Sequence, residues 1–402
     1  MDIKKILSEY KKRSKKVTIG VLGGHSALDV CHGANQYGFD TVVVCQKGRE
    51  KTYAKYYKKR DDGMGGEKGC VGNIILVDKF EDVLKESVQK ELRALNTIFV
   101  HNRYFWVYFK DFSKVEKDFR VPILGLREGV KLEERDVKKN QYYLLEKADI
   151  RMPKILREGG GKVSNVQRRG EKEKLEKILV QHFKNGGGPL IVKANEALRG
   201  YERAFFIIND AASYFAVGRE KVKKREITQE GLDNAVIEEY VIGAHINLNF
   251  FYSPLSGELE LLGTDTRRQT NLDGFLRLDA DTQRQLGSGM ITMVETGHYA
   301  VTMKESLIEK AYELGEKFVK TMKKEVSPGI RGPFALQGAV ESKAGKEEFV
   351  IFDVSMRIPG SPGTKFTPYS GYLYGESMSY GERIAMEIGR AVEEDRMDEI
   401  VT

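Results

Sequence analysis

The first 125 residues alternate short β-branched apolar runs with helix-forming stretches, and few folds accept that rhythm. The runs fall at Val17–Leu22, Thr41–Cys45, Asn73–Val77 and Thr97–Val100. They are rich in valine and isoleucine and bounded by turn residues, as strands covered on both faces are. Gly38 stands where a glycine ends the helix that begins after Ser26. Parallel strands need crossover helices, so the pattern predicts a doubly wound parallel α/β domain. The insert DDGMGGEKG at 61–69 reads as a surface loop.

Beyond Pro122 the pattern changes. Residues 131–150 read as helical up to Pro153, and the polar, glycine-rich stretch 157–188 reads as a surface excursion. Strands are expected at Pro189–Lys193, Ala204–Ile208, Ala235–Ile242, Ile246–Tyr252 and Leu259–Gly263. A helix then places Leu307, Ala311, Leu314, Phe318 and Met322 on one stripe. Strands at Phe334–Val340 and Glu348–Val354 and a closing helix near 380–395 complete the pattern. Strands and helices in blocks predict an α+β domain, dividing the chain at about 1–127 and 128–402.

Composition narrows the function classes. Hydrophobic residues make up 41% and charged residues 31% of 402, a globular balance with a large core. No apolar run approaches the ~18 residues of a membrane span, and the basic start has no signal-peptide core. Cys31, Cys45 and Cys70 have neither disulfide-framework nor zinc-ligand spacing, so a reducing cytoplasm is expected. Lys and Arg number 66 against 59 Asp and Glu, an excess of +7 that suits phosphorylated substrates or nucleic acid. The basic runs KKRSKK and YAKYYKKR read as solvated faces, so neither nucleic acid nor membrane is expected as a partner.

Five places carry candidate chemistry. Gly23-Gly24-His25-Ser26 lies between a strand and a helix, where backbone amides and a helix N-terminus can meet an anion. Ser26 can cap the helix or donate, and His25 can become cationic near pH ~6.5. The equal alternative is an ordinary βα turn. Lys193 ends an apolar strand beside the basic loop ALRGYERAF, as a phosphate-holding lysine would, though from those residues alone a solvated lysine is the commoner explanation. Glu238 and Glu239 interrupt the strand before Val241; they are either used there or face water at a sheet edge. Gln337 and Asp353 lie in late apolar strands, with Ser355 and Arg357 on the same face as Asp353. Oxygen ligands on neighbouring strands hold Mg²⁺ against phosphates, unless they are satisfied polar residues at strand ends. Arg267, Asn271 and Asp273 form a further cluster, a turn or a substrate clamp.

The order of these pieces resembles an ATP-grasp ligase. The blocks GGHSAL, IEEYVIG, NFFYSPLSGELELLGTD, TNLDGFLRL, SPGIRGPFALQ, FVIFDVSMR and GYLYGESMSYGERIA resemble one family in particular. That family is the archaeal formate-dependent ligase that converts aminoimidazole carboxamide ribotide (AICAR) to its formyl derivative in purine synthesis. The resemblance implies a pre-ATP-grasp domain followed by an ATP-grasp domain, a homo-oligomer, and ATP with Mg²⁺ (or Mn²⁺). It also implies AICAR-like ribotide and formate as the other substrates.

By that resemblance His25, Ser26, Arg103 and Asn271 would bind the ribotide, and Arg267 would lie near the formyl phosphate. Lys193, Arg199, Glu238, Val241 and His245 would line the ATP cleft, Lys193 and Arg267 would serve catalysis, and Gln337 and Asp353 would hold the metal. The departures are bulkier residues in ALRGYERAF, Tyr143 at a position expected to be lysine, and Arg103 where a small residue is usual. Asp353 stands in place of glutamate, and IPGSPGT in place of an aspartate- and glycine-rich turn. A diverged paralogue using another carboxylate and amine, or binding nucleotide without ligation, is the alternative they imply.

Overall fold

The computed structural model describes residues 3–13, 16–109, 111–135, 137–159, 165–194, 205–269, 272–286, 295–343 and 345–402. The chain forms β1 (Thr18–Leu22), β2 (Asp40–Gln46), a small hairpin β3 (Arg60–Asp61) and β4 (Glu67–Lys68), β5 (Asn73–Val77), β6 (Thr97–Val100) and β7 (Ile123–Leu124). It continues through β8 (Ile155–Arg157), β9 (Leu190–Lys193), β10 (Phe205–Ile208) and β11 (Val236–Glu239). The last strands are β12 (Ala244–Ser253), β13 (Glu258–Gln269), β14 (Glu295–Ala300), β15 (Gly332–Lys343) and β16 (Lys346–Ser355).

Among the described residues these strands form three larger sheets beside the β3–β4 hairpin. The first is parallel in the order β5-β2-β1-β6-β7, and its central strand β1 is buried at every residue. The second is antiparallel, β10-β9-β11-β8, and the third antiparallel, β14-β13-β12-β15-β16. This is the α/β domain followed by an antiparallel α+β body that the patterning implies. The helix Ile308–Glu325 packs its Ala311, Phe318 and Met322 stripe into the third sheet's core beside Phe250 and Phe334.

Two expectations fail. Residues 157–188 are not merely surface: a helix, Asn165–Lys184, buries Leu175 and Leu179 against the second sheet. Those two leucines lie one turn apart among lysines and glutamates, so a single narrow apolar stripe was masked by composition. Residues 131–150 are not one helix but two short ones, Gly129–Leu132 and Gln141–Lys147, the second capped by the Asn140 side chain on the Tyr143 amide at 3.0 Å.

The chain's end returns to its beginning. The helix Tyr380–Glu393 packs on the helix Ala27–Gln36 so closely that a Cβ on Gly381 would stand 1.9 Å from the Asp29 carbonyl oxygen. Thr402 exchanges backbone hydrogen bonds with Ile123 at 2.8 and 3.1 Å, extending the first sheet. Arg383 of the closing helix, 1% exposed, meets both Glu260 oxygens at 2.7 Å and Glu387 at 2.9 Å. It also lies over the Phe251 ring at 4.1 Å. A buried cation paired this fully ties the closing helix to the third sheet. Arg383→Met leaves two buried carboxylates without their cation; the expected loss is about 3–5 kcal/mol in chemical denaturation.

Candidate active site

An open cleft lies where the three sheets meet. The phosphate-loop candidate contributes His25, the third sheet contributes Arg267, Gln337 and Asp353, and the loop after β16 contributes Arg357 and Gly360. Residues distant in sequence are thus brought together. Among the expected residues, His25, Arg103, Arg267, Gln337 and Asp353 line one cleft. Arg199 and Asn271 lie outside the described residues.

The lysine of β9 does not line this cleft but lies buried beside it, next to the strand that carries Asp353. Lys193 is 5% exposed and pairs with Glu238 at 2.6 Å, donating also to the Phe352 carbonyl at 3.2 Å. Burial opposes its charge, yet Glu238, together with Tyr142 and Asp353, outweighs that penalty and holds the ammonium pKa above its ordinary value. Glu238 does not face water: β11 is an inner strand between β9 and β8, and Tyr142 donates to the carboxylate at 2.8 Å. His245 sets its ring 5.5 Å from that of Phe352, the ring that Lys193 also covers. Val241 lies in the link between β11 and β12, where the chain passes from the second sheet to the third. Tyr143 faces elsewhere, donating to Glu325 at 2.8 Å, so its neighbour Tyr142 is the residue presented to the lysine.

Gln337 and Asp353 are direct partners across β15 and β16. The Gln337 amide donates to Ser355 at 2.8 Å, leaving its oxygen to accept from Arg267. Arg135 and Arg267 each approach an Asp353 oxygen at 3.6 Å. Burial alone raises a carboxyl pKa, but these two guanidiniums hold Asp353 below its usual range. Among the described residues no group of three or more His, Cys, Asp or Glu side chains is arranged as a metal site. The Gln337–Asp353 pair nonetheless offers the cleft two hard oxygen donors of the kind a divalent cation combines with phosphate ligands, although Arg267 engages both side chains here.

At the His25 turn, Ser26 adopts φ 71° and does not cap its helix; its hydroxyl donates to the Pro359 carbonyl at 2.7 Å. Asn102 pins the same turn, its amide reaching the Leu22 and His25 carbonyls at 3.1 and 3.2 Å. His25 does not become cationic near neutrality. Burial, with Arg357 and Arg103 nearby, pushes its pKa down to about 3. Gly360 makes room for the ring, because a Cβ there would sit 2.7 Å from Nε2. Arg103 and Arg357 share one buried carboxylate, Glu133, at 3.8 and 3.3 Å. Two guanidiniums on one carboxylate leave net positive charge beside the turn.

Sequence reasoning missed Glu133, Arg135, Asp265, Glu295 and His298. Asp265 is fully buried and accepts from Asn247 at 2.7 Å, Ser361 at 2.6 Å, Asn249 and His298. His298 reaches Glu295 at 2.9 Å with its other nitrogen. Burial disfavours its charge, but the two carboxylates raise its pKa to about 9. Glu295 falls to about 2, burial being outweighed by His298 and Arg267. The available signal was an unassigned histidine in ETGHYA, a polar edge strand without apolar alternation.

Three sheets around a cleft lined by Arg103, Arg267 and Arg357 make up an ATP-grasp fold. The solved structures agree in fold. An IMP biosynthesis protein PurP from Thermococcus kodakaraensis aligns with TM-score 0.63 and 22% identity over 96% of this chain and 100% of its own. The N5-carboxyaminoimidazole synthase of Aspergillus clavatus, in complex with ADP and 5-aminoimidazole ribonucleotide, aligns with TM-score 0.52 and 16% identity over 87% and 72%. Residues 19–156 match the family described as "Protein of unknown function (DUF1246)" and residues 214–402 that described as "Domain of unknown function (DUF1297)".

A curated relative from Methanothermobacter thermautotrophicus is 32% identical over 100% of this chain and 98% of its own length. Its name is 5-formaminoimidazole-4-carboxamide-1-(beta)-D-ribofuranosyl 5'-monophosphate synthetase. The chain belongs to that synthetase family.

The two histidines titrate on opposite sides of neutrality. A pKa raised from 6.5 to about 9 means that His298's contribution is complete below pH 6.5 and lost as pH rises through 9. Denaturant unfolding should therefore show stability falling by on the order of 3 kcal/mol between those limits, a slope that His298→Gln removes. In NMR titration His25 should stay neutral from pH 8 to 5, its pKa lying at about 3.

Proposed function

We propose that the chain is an ATP- and formate-dependent ligase of purine synthesis, converting AICAR to formyl-AICAR through formyl phosphate. The observation that carries this reading is one cleft in which Arg103, Arg267 and Asp353 meet the His25 turn, with Arg135 and Lys193 adding positive charge around Asp353 from beside it. Three anionic reactants need such a cleft, and full-length membership of the synthetase family selects the reaction.

Formate is a poor acylating agent, since its carboxylate is resonance-stabilised and has no leaving group. Transfer of the ATP γ-phosphoryl group to a formate oxygen makes a mixed anhydride. The AICAR amine then attacks its carbonyl carbon, phosphate departs, and the amine loses a proton. Lys193 and Arg199 hold nucleotide phosphates; Glu238, the Val241 backbone and His245 border the adenosine. Arg267 stands nearest the transferring phosphoryl group, where a fixed guanidinium stabilises developing charge. His25, Ser26, Arg103 and Asn271 hold the ribotide.

Because His25 is neutral, it meets the sugar phosphate as a hydrogen-bond donor, and Arg103 and Arg357 supply the charge. Gln337 and Asp353 would hold Mg²⁺, or Mn²⁺ in its place, which when bound neutralises charge on the ATP phosphates. Assembly of the three reactants side by side supplies much of the rate.

Residues 1–127 form the pre-ATP-grasp unit and 128–402 the grasping body. Among the described residues no helix is long and apolar enough to cross a membrane. The enzyme works in the cytoplasm as a homo-oligomer.

Purified protein should release phosphate when ATP, Mg²⁺, formate and AICAR are all present, and release none when any one is omitted. No turnover across pH and temperature overturns the reading. Asp353→Asn should lower kcat by about 100-fold or more. Arg103→Ser should raise the KM for AICAR about tenfold while kcat changes less, as loss of one charged hydrogen bond does. An unchanged or lower KM would instead favour the second reading, that Arg103 is kept for a substrate bearing a further anionic group.

A further inference from the structure

We propose that His298 is a positioning residue that, anchored on buried Asp265, fixes Glu295 and through it orients the Arg267 guanidinium over the Gln337–Asp353 pair. This inference rests on the reading of Arg267 as the cation of phosphoryl transfer.

The geometry forms one chain of alternating charge. Asp265 is saturated: a carboxylate offers about four acceptor sites, and Asn247, Asn249, Ser361 and His298 supply four donors. With those sites taken it has none left for a substrate or metal, and it cannot move without breaking bonds to β12, β14 and the loop after β16. It is an anchor.

His298 hydrogen-bonds a carboxylate with each ring nitrogen. A neutral imidazole has a single N–H, so satisfying both carboxylates requires the imidazolium form. Glu295 then offers one oxygen to His298 at 2.9 Å and the other to Arg267 Nε at 3.4 Å. The far end of Arg267 reaches the Gln337 oxygen and Asp353.

Arg267 needs this support. It sits on β13 opposite His298 of β14, the edge strand of its sheet, and it is 36% exposed. A long side chain at a sheet edge loses considerable rotamer freedom when ordered. A buried anchor acting through two charged contacts restricts it before substrate arrives. Without His298, Glu295 keeps its pull on Arg267 but loses its own fixed position, so the guanidinium is no longer held over Asp353.

The test uses the full chain with His298→Gln, Glu295→Gln and the double variant, assayed for phosphate release dependent on ATP, formate and AICAR. Each single variant should lower kcat about 10- to 100-fold, the scale of a roughly 1 Å misplacement, with KM for ATP within about twofold. The double variant should be no slower than the slower single one, since both act through Arg267. His298→Lys, which keeps a cation beside the carboxylates, should recover part of the rate. Multiplying losses in the double variant, or wild-type kcat in His298→Gln, overturns the proposal.

A second measurement does not depend on the reaction. In ¹⁵N NMR at pH 7.5 both His298 nitrogens should carry protons, and the Arg267 Nε proton should exchange slowly in the wild type and quickly in His298→Gln. A singly protonated ring, or unchanged exchange, overturns the relay even where the wild type turns over. If the wild type does not turn over while these resonances behave as stated, the reaction assignment falls and the relay stands.

Discussion

Charge taken out of water at the meeting of three sheets is the constraint on which the rest of this structure depends. Lys193, Glu238, Arg135, Asp353, Glu133 and Arg357 all lie where solvation is reduced, and each has an oppositely charged partner from another part of the chain. Removing one partner leaves an uncompensated charge whose burial costs several kcal/mol. The sheets are therefore held together at the cleft by groups whose geometry cannot be relaxed independently. That arrangement is poor economy for stability, since an apolar junction of the same volume would do as well, and it is suited to binding anions from a preorganised field.

The neutral state of His25 belongs to the same logic. A turn that meets a phosphate gains from positive charge, and histidine at that position suggests a titrating donor. Arg103 and Arg357 already crowd the site, and burial disfavours a third cation, so the ring stays neutral and the guanidiniums carry the charge. His298, with two carboxylates and a half-open edge, goes the other way. The same side chain serves as a neutral donor at one end of the cleft and as a cation at the other, decided by neighbours that lie far away in sequence.

That distance explains what could be read from the chain and what could not. Thr97–Val100 was legible to the residue because a buried parallel strand is an unbroken apolar run, and Asn73–Val77 likewise by its apolar run, although as an edge strand it exposes Leu76. Gln337 and Asp353 stood out as lone polar residues in apolar strands, and Lys193 as the polar end of one. Asp265 lies in a stretch whose polarity extends well past the expected end of its strand at Gly263, and β14 has no alternation to betray Glu295 or His298. Glu133 and Arg135 follow a four-residue helix in what read as one long one, so nothing local marked them as facing a cleft. The helix Asn165–Lys184 was hidden by its own lysines and glutamates, although Leu175, Leu179 and Phe183 dock it.

The loop after β16 shows why neither end of the cleft can be assembled without the other. Ser361 donates to Asp265, whose second role is to hold His298. One residue earlier, Gly360 lies against His25, and Pro359 accepts from Ser26. Three consecutive residues thus join the anion-binding turn of the first sheet to the carboxylate that anchors the third. The closing helix that follows is seated on the first sheet by the Gly33–Gly381 approach and on the third by Arg383. A change in how that helix sits would reach both ends of the cleft through the same short loop. The chain's last residues thereby complete a site whose first contact, His25, is encoded near its start.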